Sequence, residues 1–211
     1  MNKLDLQLLF EDKAGQLMTD SVKVFKTSEI ERFLNAAQDR YFAELAAVFE
    51  TNEDVRRALS SLVVSETITA EASIPAGVTP LSADSKFYEL GSVFDGTLYK
   101  IIDEYIIDSN GNRVLAKPIT HDQYLANINN PFKQPYEDLV WKIDISGYAE
   151  IIPSGIILGD YVYRYLTKPT KIDYASDVVA TLNLRDKDLM NIVDIAVTDA
   201  LNSLSVVKQE G

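Results

Sequence analysis

The sequence predicts an α+β fold: an N-terminal helical hairpin, a central mainly antiparallel β region and a C-terminal helix. Three observations carry this expectation. Apolar residues recur at three- and four-residue spacing toward both ends of the chain. β-Branched residues punctuated by Gly and Pro fill the middle. Strands and helices are segregated along the chain, which separates α+β from an alternating βαβ sheet. The boundaries fall at 1–66 for the helical part, 67–174 for the β region and 175–211 for the last helix. That helix packs back on the N-terminal ones, giving a single structural domain with a β extension.

The first 26 residues include LDLQLLF, which suits a strand or a helical turn equally. The first clear helix is SEIERFLNAAQDRYFAEL, where Ser28 and Glu31 have the spacing of a capping box. Ile30, Phe33, Leu34, Ala37, Tyr41, Leu45 and Val48 share one face of it. Thr51 and Asn52 interrupt the pattern, and EDVRRALSSLVV then supplies a shorter second helix through Val55, Ala58, Leu59 and Leu62. Candidate strands follow in KFYELGSVF, TLYKIIDEYII, VLAKPIT, LVWKIDI, AEIIP and YVYRYL. Pro118, Pro131, Pro135, Pro153 and Pro169 belong at strand ends, edges or turns, because proline has no amide to donate to a ladder. The last helix lies in NLRDKDLMNIVDIAVTDALNSL, with Asn183 as its cap and Asp186 and Asp188 complementing its dipole. Leu189, Ile192, Val193, Ala196, Ala200, Leu201 and Leu204 form its stripe, and the tail VVKQEG is expected to fray.

At 211 residues, 46% hydrophobic and 25% charged, the chain has the composition of a folded globular protein with ample core. No apolar run approaches the roughly 18 residues that would cross a bilayer. The segment MNKLDLQLLFEDKAGQ carries acids within its first apolar stretch and no small-residue cleavage pattern, so the expectation is a protein that stays in the cell making it. The absence of cysteine excludes disulfide frameworks, thiolate zinc sites and cysteine nucleophiles. A net charge of -12 argues against clamping nucleic acid by phosphate neutralisation. It suits a wall past which DNA slides.

No motif points to catalysis. The single histidine, His121 in KPITHDQYL, has no serine on a strained turn to activate, and THDQ reads as a helix start capped by Thr120. DSNGNR superficially resembles a calcium loop, but Gly111 is its fourth residue and Ile119 its twelfth, where such a loop needs glycine sixth and glutamate twelfth. Asn110-Gly111 between two apolar runs is instead a hairpin signal. Adjacent carboxylates such as Asp103 and Glu104, or Glu137 and Asp138, read as solvated faces in so acidic a chain. With no glycine-rich phosphate loop either, the sequence implies no catalytic residue, cofactor or metal.

Tyrosine is what stands out. There are eleven, and in YVYRYLTKPTKID the residues Tyr161, Tyr163 and Tyr165 share one strand face while Val162, Arg164 and Leu166 share the other. The row is either an ordinary strand packed under its own fold or a surface made for another chain, since tyrosine and arginine are enriched at interfaces. Alternation puts Tyr163 and Arg164 on opposite faces, so only one of these two candidate anchors meets a partner.

The order of SEIERFLNAAQDRYF, LSSLVV, NNPFKQP, a tryptophan, YVYRYLTKPTKI and NIVDIAVTDAL resembles bacteriophage neck proteins. More narrowly it is similar to the ring or head-tail adaptor (connector) proteins of short-tailed phages, including the crAss-like group, over about residues 27–204. The resemblance implies a structural virion protein without enzymatic activity, made in the host cytoplasm and placed in the neck or tail. It further implies a homo-oligomeric ring, by family resemblance of about twelve copies, that meets portal and tail proteins and lets double-stranded DNA pass passively, with no membrane partner. Candidate interface residues are then Tyr161, Tyr163, Arg164, Tyr165, Lys168, Pro131 and Phe132. A reading from another class is a tyrosine-rich carbohydrate-binding or adhesin-like β domain, distinguished by glycan binding as a monomer.

Overall fold

In the computed structural model of the chain, residues 3–17, 25–70, 73–90, 97–175 and 185–209 are described, the side chains of 205–209 excepted. The helices are α1 (Lys3–Leu17), α2 (Thr27–Ala47), α3 (Glu53–Ala58), α4 (His121–Asn127) and α5 (Asp186–Gln209). The strands are β1 (Val63–Ile68), β2 (Lys86–Glu89), β3 (Leu98–Asp108), β4 (Arg113–Pro118), β5 (Leu139–Ile145), β6 (Tyr148–Ile152) and β7 (Leu158–Thr167). Two compact units result: Met1–Leu62 with Lys168–Gly211, and Val63–Thr167.

In the first unit the ambiguous opening segment is helical, with Leu6, Phe10 and Ala14 of α1 buried along one face. They share a core with Ile30, Leu34 and Ala37 of α2 and with Ile192, Val193 and Ala196 of α5. Helix α2 starts one residue before Ser28, and its first turn is closed by the Glu29 carboxylate, which accepts the Lys26 amide at 2.9 Å. The expected Ser28–Glu31 box is therefore not formed, and Glu31 accepts the Tyr174 amide at 3.2 Å instead. Val48 lies past the end of α2 and is exposed, so the buried stripe stops at Ala46. Asn52 breaks the helices by capping α3, its side-chain oxygen accepting the Asp54 amide at 3.0 Å and the Val55 amide at 3.3 Å.

Only six residues of the second helix are α-helical; after a 3-10 turn at Ser60–Leu62 the β-branched pair Val63 and Val64 opens β1. The sheet unit thus begins at Val63, where the sequence pattern suggested 67. It ends at Thr167 and not at 174, because the residues after β7 bond to α2. The Asn35 side-chain amide donates to the Ile172 carbonyl at 2.8 Å and its oxygen accepts the Ile172 amide at 2.9 Å, while Gln38 donates to the Thr170 carbonyl at 3.1 Å. The expected cap Asn183 lies outside the described residues. Helix α5 continues to Gln209, so most of the tail expected to fray is helical.

The described strands of the second unit form one sheet in the order β1-β7-β3-β4-β5-β6-β2. All neighbours are antiparallel except β4 and β5, whose connection through α4 is long enough to return the chain in the same direction. Thr120 caps α4 as the sequence suggests, accepting the Gln123 amide at 3.2 Å while the Gln123 side chain accepts the Thr120 amide at 3.1 Å. Asn110-Gly111 makes the β3–β4 turn with Gly111 at φ +86°, a conformation that favours glycine. The Asp108 carboxylate ties that turn together by accepting the Asn110 and Asn112 amides at 2.8 and 2.7 Å. Hydrogen bonding, led by the Asn112 side chain, holds Asp108 below the usual carboxylate range.

The sheet curls until β2, at one end of the strand order, reaches β7. Tyr88 on β2 donates to the Gly159 carbonyl of β7 at 2.6 Å, and its ring lies 5.6 Å from that of Tyr161. Strand β7 approaches β3 so closely at Gly159 that a Cβ there would sit 2.3 Å from the Ile107 carbonyl oxygen. Ile192→Asp places an unpaired charge in the helical core and is expected to cost on the order of 3–5 kcal/mol in urea unfolding. An unchanged midpoint would mean that α5 is not packed as described.

Candidate functional site

Strand β7 lies between β1 and β3, with Tyr163 opposite Glu66 on one side and Glu104 on the other. Directly opposed residues point to the same face, so both carboxylates stand among the tyrosines. Glu66 accepts the Tyr163 and Tyr165 hydroxyls, each at 2.8 Å. Glu104 accepts the Tyr161 hydroxyl at 2.5 Å and the Lys142 ammonium at 2.7 Å. Lys142 reaches Glu104 from β5 across β4, where the small buried Ala116 stands on the same inner face, and it also meets Asp144 at 3.2 Å. The rings of Tyr161, Tyr163 and Tyr165 stack at successive centroid distances of 5.5 Å.

Exposures of 0%, 1% and 4% put Tyr161, Tyr163 and Tyr165 inside the sheet unit. The flanking carboxylates satisfy their hydroxyls within the subunit. Burial drives the Tyr161, Tyr163 and Tyr165 phenols up from their ordinary value, seconded by the charge or hydrogen bond of the neighbouring glutamate, with Tyr165 pushed to about 12. Sequence reasoning did not connect Glu66, Glu104 or Lys142 to the tyrosines. The available signal was the odd placement of these charges at inward positions of otherwise apolar strands.

On the other face Arg164 is exposed and forms a two-point ion pair with Asp103, its Nε donating at 2.8 Å and its second nitrogen to the other carboxylate oxygen. That pairing raises the Arg164 pKa. Of the two candidate anchors, Tyr163 therefore supports the fold and Arg164 faces solvent. Lys168, just past β7, is exposed.

Pro131 and Phe132 form a second candidate surface, on the turn between α4 and β5. The Phe132 ring is 97% exposed, yet its backbone is held: the Phe132 amide donates to the Asn130 side chain at 3.1 Å, and the Lys133 amide to the Asn130 carbonyl at 2.9 Å. The Gln134 side chain donates to the Ile128 carbonyl and closes the turn. At its base a cleft of about 290 Å³ is lined by Leu81, Tyr124, Pro135, Trp141 and Ile152 among others. His121 is exposed at the head of α4.

The turn presents an aromatic ring to solvent, beside a sheet whose tyrosines are committed to its own interior. Residues 17–200 match the family model of phage tail ring protein 3/4, and the chain belongs to that family of structural ring proteins. It is similar to ring protein 3 of Bacteroides phage crAss001, with 33% identity over 130 residues, or 59% of this chain. The match covers 54% of that relative, so the chain spans about half the length of the curated protein it resembles.

The raised phenols set an alkaline limit on stability. Between the ordinary tyrosine value of 10.0 and about 12, the unfolded chain has lost phenolic protons that the folded one keeps, so stability falls as pH rises. The contribution is fully present below pH 10.0 and is lost through the folded value. Thermal melts across that range should show a falling midpoint with tyrosinate absorbance appearing at unfolding; a flat midpoint would contradict the burial described. Tyr163→Ala should cost roughly 3–5 kcal/mol, whereas Arg164→Ala, which removes an exposed pair, should cost at most about 1 kcal/mol in the same assay.

Proposed function

We propose that copies of this chain close into a ring in the neck or tail of a short-tailed phage, joining portal to tail and continuing the DNA channel. Membership in the phage tail ring protein family is the observation that carries this reading. A closed ring of identical chains needs heterologous contacts, in which one patch of each subunit meets a different patch of the next. The subunit's acidity favours the conduit: with 32 Asp and Glu against 20 Lys and Arg, its surface field repels a passing phosphate backbone. Weak, sequence-blind contact is what movement of a genome requires. The protein acts here as a structural part, with no reaction to catalyse.

Phe132 and Arg164 are the exposed residues best suited to anchor a neighbour, being an aromatic ring on a pinned turn and an arginine on a rigid strand. Phe132→Ala should leave the melting midpoint within a degree or so of the parent and weaken assembly by about 2 kcal/mol or more. Electron microscopy and mass photometry of the purified protein test the reading. Rings with a central channel are expected, and a protein that stays monomeric alone and with portal would sink it. A gel shift with duplex DNA at moderate salt should show little binding; tight binding with a steep salt dependence would replace the conduit by a clamp.

A further inference from the structure

Strand β1 is the end of the sheet, and the directions of its backbone groups follow from one hydrogen bond. The Asp108 amide donates to the Asn112 carbonyl across the β3–β4 turn at 2.9 Å. Even-numbered residues of β3 near the turn therefore direct their amides toward β4, and odd-numbered ones toward β7. Tyr105 opposes Val162, so even residues of β7 turn to β3 and odd ones to β1. Glu66, opposite Tyr163, then bonds inward, and the amides and carbonyls of Val63, Ser65 and Thr67 point out of the sheet. No described residue outside the strand ladders supplies them a backbone partner.

Natural sheets blunt such edges with lysine, proline, a bulge or a covering segment. VVSETI has no lysine or proline, and its six pairs with β7 run without a register shift. Ser65 and Thr67 are exposed. The one charge in the strand, Glu66, is turned inward onto two tyrosine hydroxyls. The edge is therefore straight, β-branched and uncharged, in a protein whose net charge is -12.

We propose that the open edge of β1 is paired, in the assembled ring, by a strand of the neighbouring copy of this chain. The proposal rests on the ring reading above and names the contact. A second copy is the occupant because a ring needs two unlike surfaces per subunit, and this sheet ends in two unlike strands, β1 with six residues and β2 with four. An uncharged edge also lets equally acidic chains approach where side-chain pairing would bring like charges together.

The test uses the full chain. In Ser65→Pro/Thr67→Pro both lost amides point outward, so the β7 ladder is kept. The double variant is expected to melt with the parent and to form no rings in mass photometry and electron microscopy, while Ser65→Ala/Thr67→Ala assembles normally. Hydrogen exchange on parent rings should show Val63, Ser65 and Thr67 amides protected relative to the dissociated subunit; this decides the matter even if the prolines disturb folding. Rings from a folded proline variant, or equal exchange of the three amides in ring and subunit, would overturn the edge contact and leave the ring reading standing. A parent that never assembles would overturn both.

Discussion

The sheet unit depends on how two carboxylates are hydrogen-bonded inside it. Glu66 and Glu104 stand opposite the same tyrosine from the two strands flanking β7, and a bare carboxylate at either position would be expensive to desolvate. Three phenols and one ammonium are directed at them. Each tyrosine in turn needs an acceptor for its buried hydroxyl, so donor and acceptor make each other tolerable. Replacing one member leaves its partner orphaned, and such an arrangement specifies the register of β1, β7 and β3 more sharply than apolar packing could. A one-residue slip would turn the tyrosines to the Arg164 face and leave both glutamates facing the interior alone.

The curl of the sheet follows from the same arrangement. Tyr88 extends the stack of aromatic rings from the far end of the strand order and anchors on the Gly159 carbonyl, while Lys86 donates to the neighbouring Leu158 carbonyl at 2.5 Å. Glycine at 159 is what allows β7 to lie against the Ile107 carbonyl at that bend. The aromatic strand is thus internal framework, and the residues left for recognition are those the framework turns outward. They include the Arg164 side chain, the Phe132 turn and the backbone edge of β1.

What was legible in the sequence was whatever repeats locally. The stripes of α2 and α5, the Asn-Gly turn, the Thr120 cap and most strands rest on periodicity or on a few adjacent residues, and these signals survive folding. The misread parts depend on partners distant in sequence. Glu31 fits a capping box by spacing, yet the Tyr174 amide, brought in by the chain leaving β7, takes it. LDLQLLF was ambiguous until α5 supplied the surface that α1 buries Leu6 and Phe10 against. The tyrosine row shows the limit most clearly: alternation divided Tyr163 from Arg164 correctly, but which face was inside depended on Glu66 and Glu104, which lie 97 and 59 positions from Tyr163 along the chain and are invisible to a local pattern.

Placing the acids inside has a consequence for assembly. Glu66, turned inward onto two tyrosine hydroxyls, leaves no charge on the outer edge of β1, so an acidic subunit still offers an uncharged rim there. In the ring proposed above, neighbouring copies repel one another at distances up to about a Debye length, roughly 8 Å at physiological salt. Contacts that hold them must therefore act at short range and without charge, through an aromatic ring in a cleft or through backbone hydrogen bonds. The same repulsion, directed at phosphate, would keep the channel wall from holding the DNA. In the proposed ring, acidity would keep the nucleic acid moving, and the uncharged edge and exposed ring would let subunits that repel at a distance still join on contact.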